Sequence, residues 1–246
     1  PTMRNLWIIA KRELNGYFTT PMAFIFVAIF VAMTGAFTFY IGRFFDRGQA
    51  SLEPFFSFHP WLYLLLVPAV AMRLWSEERK SGTIEQLLTL PITTADAVLG
   101  KFLAAWLFCG IALAATFPIW ITVSYLGDPD HGVIGLSYIG SFLMAGAFLS
   151  IGTCMSALTR NQIIAFIGAA AVCFIFTMSG LDLVLNFFRA WAPSFLVDVI
   201  AASSFLVRFE SVTRGVMELR DVVFFLSMMA FWLFATTVAV DAKKAA

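Results

Sequence analysis

The nearest this chain comes to a phosphate cradle is Gly100-Lys101, and it fails as one. Position 95 is Ala and Phe102 follows the lysine, so no G-x-x-x-x-G-K-[ST] loop exists. Neither H-E-x-x-H nor G-x-S-x-G occurs. The Asp128-Pro-Asp130-His131 turn offers two carboxylates, too few for the six to eight oxygens of a calcium cage. His59 has no companion ligand nearby, and Cys109, Cys154 and Cys173 are scattered through apolar runs without C-x-x-C spacing. No catalytic, cofactor-binding or metal residue is therefore expected. What the residues can do is bind. Trp75 to Thr94 is the most polar stretch, flanked by apolar runs. Ser81-Gly82 breaks the preceding helix, and Thr83 stands three residues before Gln86, a capping-box spacing. Glu85 lies in the first turn, where the helix dipole favours an anion. Ile84, Leu87 and Leu88 share one face, and Pro91 stops the helix. Thr93 and Asp96 then repeat the capping pattern. This predicts a short amphipathic helix along a membrane surface, with its apolar face open to a partner.

The elements that position it are membrane spans. Of 246 residues, 61% are hydrophobic and 13% charged, against about 45–50% and 25% in soluble domains. Lipid must be the solvent. The net charge of +1 says nothing about nucleic acid, but no basic run is dense enough to neutralise a line of phosphates, so no nucleic-acid partner is expected. No cleavable leader is expected at the start, where Pro1-Thr-Met-Arg-Asn enters a charged amphipathic stretch. The reading is a single membrane domain over 1–246: an interfacial helix at 4–18; spans at 22–41, 58–75, 97–126, 135–158, 163–185 and 222–240; the polar link at 76–94; and an external segment at 186–221. Within that last segment, 194–206 is too short to cross and reads as re-entrant. Glu13 projects from the apolar face of the first helix, where a carboxylate needs a partner or a raised pKa. Ser141, Ala145, Gly146, Ser150, Gly152 and Ser156 give the fourth span the small residues that let helices approach closely in lipid. The spans are poor in charge, with Asp182 and Asp198 the best candidates for an ion-driven carrier and both near span ends or in the short piece. If the chain moves something, a partner supplies the energy.

Residues 77–91 resemble the E-x-x-x-G-T-x-E-x-L-L-x-x-P signature of type-2 ABC exporter permeases. Lys11-Arg12-Glu13-Leu14 with Tyr17-Phe18 and Pro21 resembles the elbow helix of that family, in which a glutamate at this place is usual. Residues 205–221, with Arg214, Gly215 and Asp221, resemble the segment before the last span in its gliding-motility-type members. The resemblance implies an all-α integral membrane protein of six transmembrane helices, with an elbow helix, a cytoplasmic coupling helix between spans 2 and 3, and a re-entrant segment before span 6. It implies a non-catalytic permease subunit working with two ABC ATPase subunits, which bind the ATP and Mg, and with a second permease copy or a homologue. A periplasmic accessory protein is a further partner it allows. In that reading Ile84, Leu87 and Leu88 dock on the ATPase. Gly82, Thr83, Gln86 and Pro91 hold their geometry, and Glu77, Glu78 and Glu85 offer charge partners. Arg214 and Asp221 hold the external cap. The alternative is the same fold transmitting force in a motility or scaffold complex without cargo.

With the N-terminus inside, ten Lys and Arg (Arg4, Lys11, Arg12, Arg73, Arg79, Lys80, Lys101, Arg160, Lys243, Lys244) fall on the cytoplasmic side. Six (Arg43, Arg47, Arg189, Arg208, Arg214, Arg220) fall outside. That bias follows the positive-inside rule. It places both termini and the 76–94 link in the cytoplasm, in a bacterial inner membrane.

Overall fold

Four short polar residues fix where helices begin. Thr93 accepts from the Asp96 amide while the Asp96 carboxylate accepts from the Thr93 amide, the reciprocal pair that the spacing predicts. Asp130 accepts from the amides of Gly132 and Val133, Asn161 from Ile163, and Ser204 from Val207. The computed structural model describes residues 3–82 and 92–242, which form helices and connecting turns with no strand among them. In order the helices are α1 (Met3–Phe18), α2 (Pro21–Ala36, extended by a π-helical turn Phe37–Ile41), α3 (Glu53–Ser57), α4 (His59–Ala71) and α5 (Arg73–Ser81). Then come α6 (Thr94–Ala114), α7 (Pro118–Leu126), α8 (His131–Leu158), α9 (Gln162–Met178), α10 (Asp182–Arg189), α11 (Ser194–Ala202), α12 (Phe205–Thr213) and α13 (Leu219–Ala242).

Helix α8 is the axis. It packs against α13, α9, α4, α12, α6 and α5. More than half of its most apolar stretch (56%) is buried, against 22% for the stretches containing α2 and α13, which leave most of their surface for lipid or a partner. Small residues allow this crowding. A Cβ on Gly152 would lie 2.3 Å from the Ala71 Cβ of α4, and one on Gly140 2.6 Å from Val212 of α12. One on Gly146 would lie 2.8 Å from the Met229 sulfur of α13 and the Trp106 indole nitrogen of α6. Without a hydrophobic drive between helices in lipid, such close backbone approach supplies the dispersion contact that holds a bundle together.

Among the described residues four helices are long and apolar enough to cross a bilayer: Pro21–Ile41, Thr94–Leu126, His131–Leu158 and Leu219–Ala242. Gln162–Met178 with Asp182–Arg189 makes a fifth if the pair, bent by 76°, counts as one span. Length and composition therefore do not reach the expected six. The shortfall is the second span: α4 has 13 residues, about 20 Å at 1.5 Å per residue, before Met72 gives way to the polar α5. The third, expected at 97–126 with an interruption at Pro118, is two helices, because Pro118 brings no amide donor and the chain turns at 115–117 ahead of it. The fifth, expected at 163–185, ends at Met178 and turns sharply. There Gly180 passes so close to Ser204 and Val207 that a Cβ would lie 2.5–2.6 Å from them. The apolar piece 194–206 is likewise broken at Ser203–Ser204, where Ser204 caps α12.

Candidate functional site

The site starts from Gly100. A Cβ there would meet the Ile9 side chain at 2.7 Å, so glycine lets α1 lie directly on α6, with Ile9 and Ala10 buried in the contact. Tyr17 stacks on Phe108 two turns further along α6 (centroids 4.9 Å, planes 6° apart), and Phe18 meets the same ring edge-on. This seating puts Glu13 opposite Lys101. The Lys101 side chain is 3% exposed. Its Nζ lies 3.3 Å from Glu13 Oε2 on α1 and 2.7 Å from Glu78 Oε1 on α5, and it sits over the Trp75 ring. Arg12 Nη2 bonds the other Glu13 oxygen at 2.9 Å. Burial alone would push the Glu13 carboxyl up, but the Lys101 ammonium and the Arg12 guanidinium outweigh it and hold the carboxyl below its ordinary 4.5. Arg73 and Glu77 pair one turn apart on α5 (2.9 Å). Glu13, Tyr17, Arg73, Glu77, Glu78 and Lys101 line a cavity of about 260 Å³ at the meeting of α1, α5 and α6.

Helix α5 is held on its other side by α8. The Ser156 hydroxyl accepts from the amides of Trp75 and Ser76 (3.0 and 3.1 Å) and donates to the Met72 carbonyl (2.9 Å). Those are the backbone groups freed where α4 gives way to α5, so one hydroxyl satisfies the break. Arg79 donates to the Ala157 carbonyl. The helix then ends at Ser81 with Gly82 at φ +75°, a left-handed cap that glycine adopts without strain. Two ties therefore flank the entry to residues 83–91: an ionic one to α1 and α6, and a hydrogen-bonded one to α8.

Of the residues predicted to meet an ATPase, Glu77, Glu78 and Gly82 stand on α5 and its cap. Thr83, Ile84, Glu85, Gln86, Leu87, Leu88 and Pro91 lie outside the described residues. Glu13 and Glu78 are brought together through Lys101, whereas Glu77 turns to Arg73 and Glu78 turns inward, not to the surface. Sequence reasoning does not find the ties that Lys101, Ser156 and Arg208 make. The signal for Lys101 was available: an isolated cation in an apolar run, and a carboxylate on the apolar face of α1, each needing the other.

At the opposite end, Asp221 begins α13 and its side chain is 4% exposed. It pairs with Arg208 of α12 at 3.0 Å and accepts from the Glu218 amide. Arg208 also donates to the Ala202 carbonyl and lies over Phe224. Arg214, expected to share in holding this segment, instead pairs with Glu210 in solvent, both more than half exposed. Gly215 takes φ +82° and runs close under Val133, which a Cβ would meet at 2.7 Å. Asp221→Ala and Arg208→Ala should each cost about 3–5 kcal/mol, the penalty for stranding one partner of a buried pair. Arg214→Ala should stay within about 1 kcal/mol. Thermal melting of the three variants in nanodiscs checks this; equal losses would contradict it.

The other singled-out polar groups are placed apart. His59 is fully buried, with Nδ1 2.7 Å from the Ser141 hydroxyl, which lies 2.7 Å from the Tyr63 hydroxyl. Asp182 and Asp198 are exposed. Among the described residues no three His, Cys, Asp or Glu side chains gather as a metal group would.

A helical bundle with several apolar spans, a polar link tied back into it and no gathered metal-ligating side chains among the described residues defines a multi-pass membrane protein. The family described as ABC-2 family transporter protein matches residues 7–192, three quarters of the chain from α1 past α10, and the chain belongs to that family. It is an ABC transporter permease, and permeases of this family generally work with partner ABC ATPases. No curated protein matches the sequence.

Proposed function

We propose that this permease is the membrane subunit of an exporter, that it pairs with a second permease copy or a homologue and with two ATPase subunits, and that residues 77–91 are where an ATPase docks. The observation that supports the reading most is the Lys101 junction. The segment leading into residues 83–91 is bound to α1, α6 and α8 at once. A push on that segment from a closing ATPase therefore has rigid elements to act on. Through Ser156 and Arg79 it bears on α8, the one helix touching most of the bundle. Through Glu78, Lys101 and Glu13 it bears on α1 and α6. ATP and Mg would be held by the partner. In this reading residues 58–75, which are α4 and the first residues of α5, form the second crossing, giving six, with both termini cytoplasmic.

Co-purification tests the reading. A partner carrying a phosphate-binding G-x-x-x-x-G-K-[ST] loop should come down with the tagged chain, and its consistent absence from a solubilised native membrane would contradict the proposal. Orientation is tested separately. In a background lacking Cys109, Cys154 and Cys173, cysteines at Ser81 and Thr159 should resist an impermeant thiol reagent in intact cells, and one at Asp130 should react. Labelling at Ser81 would reverse the arrangement.

A second reading rests on residues 205–221, whose likeness to gliding-motility-type permeases suggests force transmission without cargo. ATP hydrolysis stimulated by a transported compound would decide for export.

A further inference from the structure

Lys80 at the end of α5 and Arg160 between α8 and α9 flank a cavity of about 460 Å³, completed by Asn161, Gln162 and Ile163. Both cations are exposed, and among the described residues neither has an anionic partner. Arg79, which faces Arg160, adds a third positive group: burial first, and then the Arg160 guanidinium, push its pKa below the usual arginine range. Like charges gathered without a counter-charge repel, and they are stabilised when an anion enters. The cavity opens onto α9, where Ile163, Ile164, Ile167, Ala171, Phe174 and Ile175 are exposed. Their spacing of i, i+1, i+4, i+8, i+11 and i+12 makes one continuous stripe. From Ile163 to Ile175 it rises about 18 Å, close to one leaflet of a hydrocarbon core of about 30 Å.

We propose that this cavity binds the phosphate of an anionic phospholipid, in the leaflet on the side of the 76–94 link, with an acyl chain along the α9 stripe. Free phosphate would match the cations but leave the stripe without a role. The combination of a cationic head site and an apolar track one leaflet long fits a lipid. The site adjoins α5 directly, so an occupied headgroup neutralises Lys80 and Arg160 next to the helix that carries the proposed docking segment.

The test uses the permease with its ATPase in nanodiscs of phosphatidylcholine alone and of phosphatidylcholine mixed with phosphatidylglycerol. Native mass spectrometry counts the retained phosphatidylglycerol, and melting reports stability. The wild-type complex should retain phosphatidylglycerol and melt higher in the mixed discs. Lys80→Gln/Arg160→Gln should remove the increment, lower apparent affinity for phosphatidylglycerol about thirtyfold (about fivefold per cation near an anionic surface) and melt as wild type in phosphatidylcholine alone. Inorganic phosphate added to phosphatidylcholine discs should give no increment; one equal to that of phosphatidylglycerol would make the site one for free phosphate and overturn the proposal. A variant that keeps the full increment overturns it, as does one that loses the ATPase, or a second permease copy, with phosphatidylglycerol retention unchanged. Should the double variant not assemble, Lys80→Gln and Arg160→Gln singly should each lower retention about fivefold, and an assembled single variant with no decrease is equally contrary.

Discussion

Lys101→Met is expected to unseat α1 and to separate ATP hydrolysis from the permease. The substitution keeps the length and apolar body of the side chain and removes only the charge. It leaves Glu13 and Glu78 facing each other around an apolar group, each with about a fifth of its side chain exposed. Breaking a buried ion pair from one side costs about 3–5 kcal/mol, and partial solvent access sets this case near the lower bound. Two features sharpen the expectation. Arg12 still covers one Glu13 oxygen, so the loss on the Glu13 side is partial. The Glu13 carboxyl is held below its ordinary value, so the stability it contributes is fully present above pH 4.5 and is lost only as the pH falls below that into its depressed range. At neutral pH the whole effect of Lys101→Met is therefore visible. Adding Glu13→Gln and Glu78→Gln should recover most of the melting temperature, because no carboxylate is then left beside the missing ammonium and Arg12 is exposed to solvent. It should not recover the coupling of ATP hydrolysis, since the tie itself is gone. Full recovery of both would mean that the junction is only structural.

How much of this was legible in the sequence follows from what each feature depends on. Caps are local, so Thr93 with Asp96 and the break at Gly82 were readable from spacing alone. Apolar runs announce membrane helices, so their existence was readable too. Of their breaks, the interruption at Pro118 was readable and the others were not. Pro118 ends α6 outright, whereas Pro68 is carried inside α4; the same residue type gives both outcomes, and neighbouring helices decide. The 76° bend after Met178 depends on α12 lying under Gly180, a contact between segments far apart in sequence. The site divides the same way. Glu13 stood out because its charge contradicts its face, but its partner lies 88 positions along the chain. Asp221 stood out at the start of a span, yet the nearest motif arginine, Arg214, is exposed and Arg208, one and a half turns earlier, makes the bond. Sequence spacing marks which charges need partners; packing chooses them.

The docking claim is stronger and rests on fewer residues. Interfaces concentrate their binding energy in a few apolar anchors. By spacing, Leu87 and Leu88 share a face with Ile84, between the Gly82 break and Pro91. Burying a leucine side chain contributes roughly 1.5–3 kcal/mol, so losing two should weaken ATPase binding by about two to four powers of ten, with the reservation that truncation costs at one interface need not add. The Lys101 junction is made by Glu13, Glu78 and Lys101 and the Ser156 tie by Met72, Trp75, Ser76 and Ser156, so the double substitution alters none of the residues that make them. The measurement is pull-down of the ATPase by the solubilised Leu87→Ala/Leu88→Ala permease, alongside its melting temperature. The account predicts a permease that melts as wild type and comes down without its ATPase; a double variant that binds the ATPase with unchanged affinity would contradict the assignment of residues 77–91 as the docking segment.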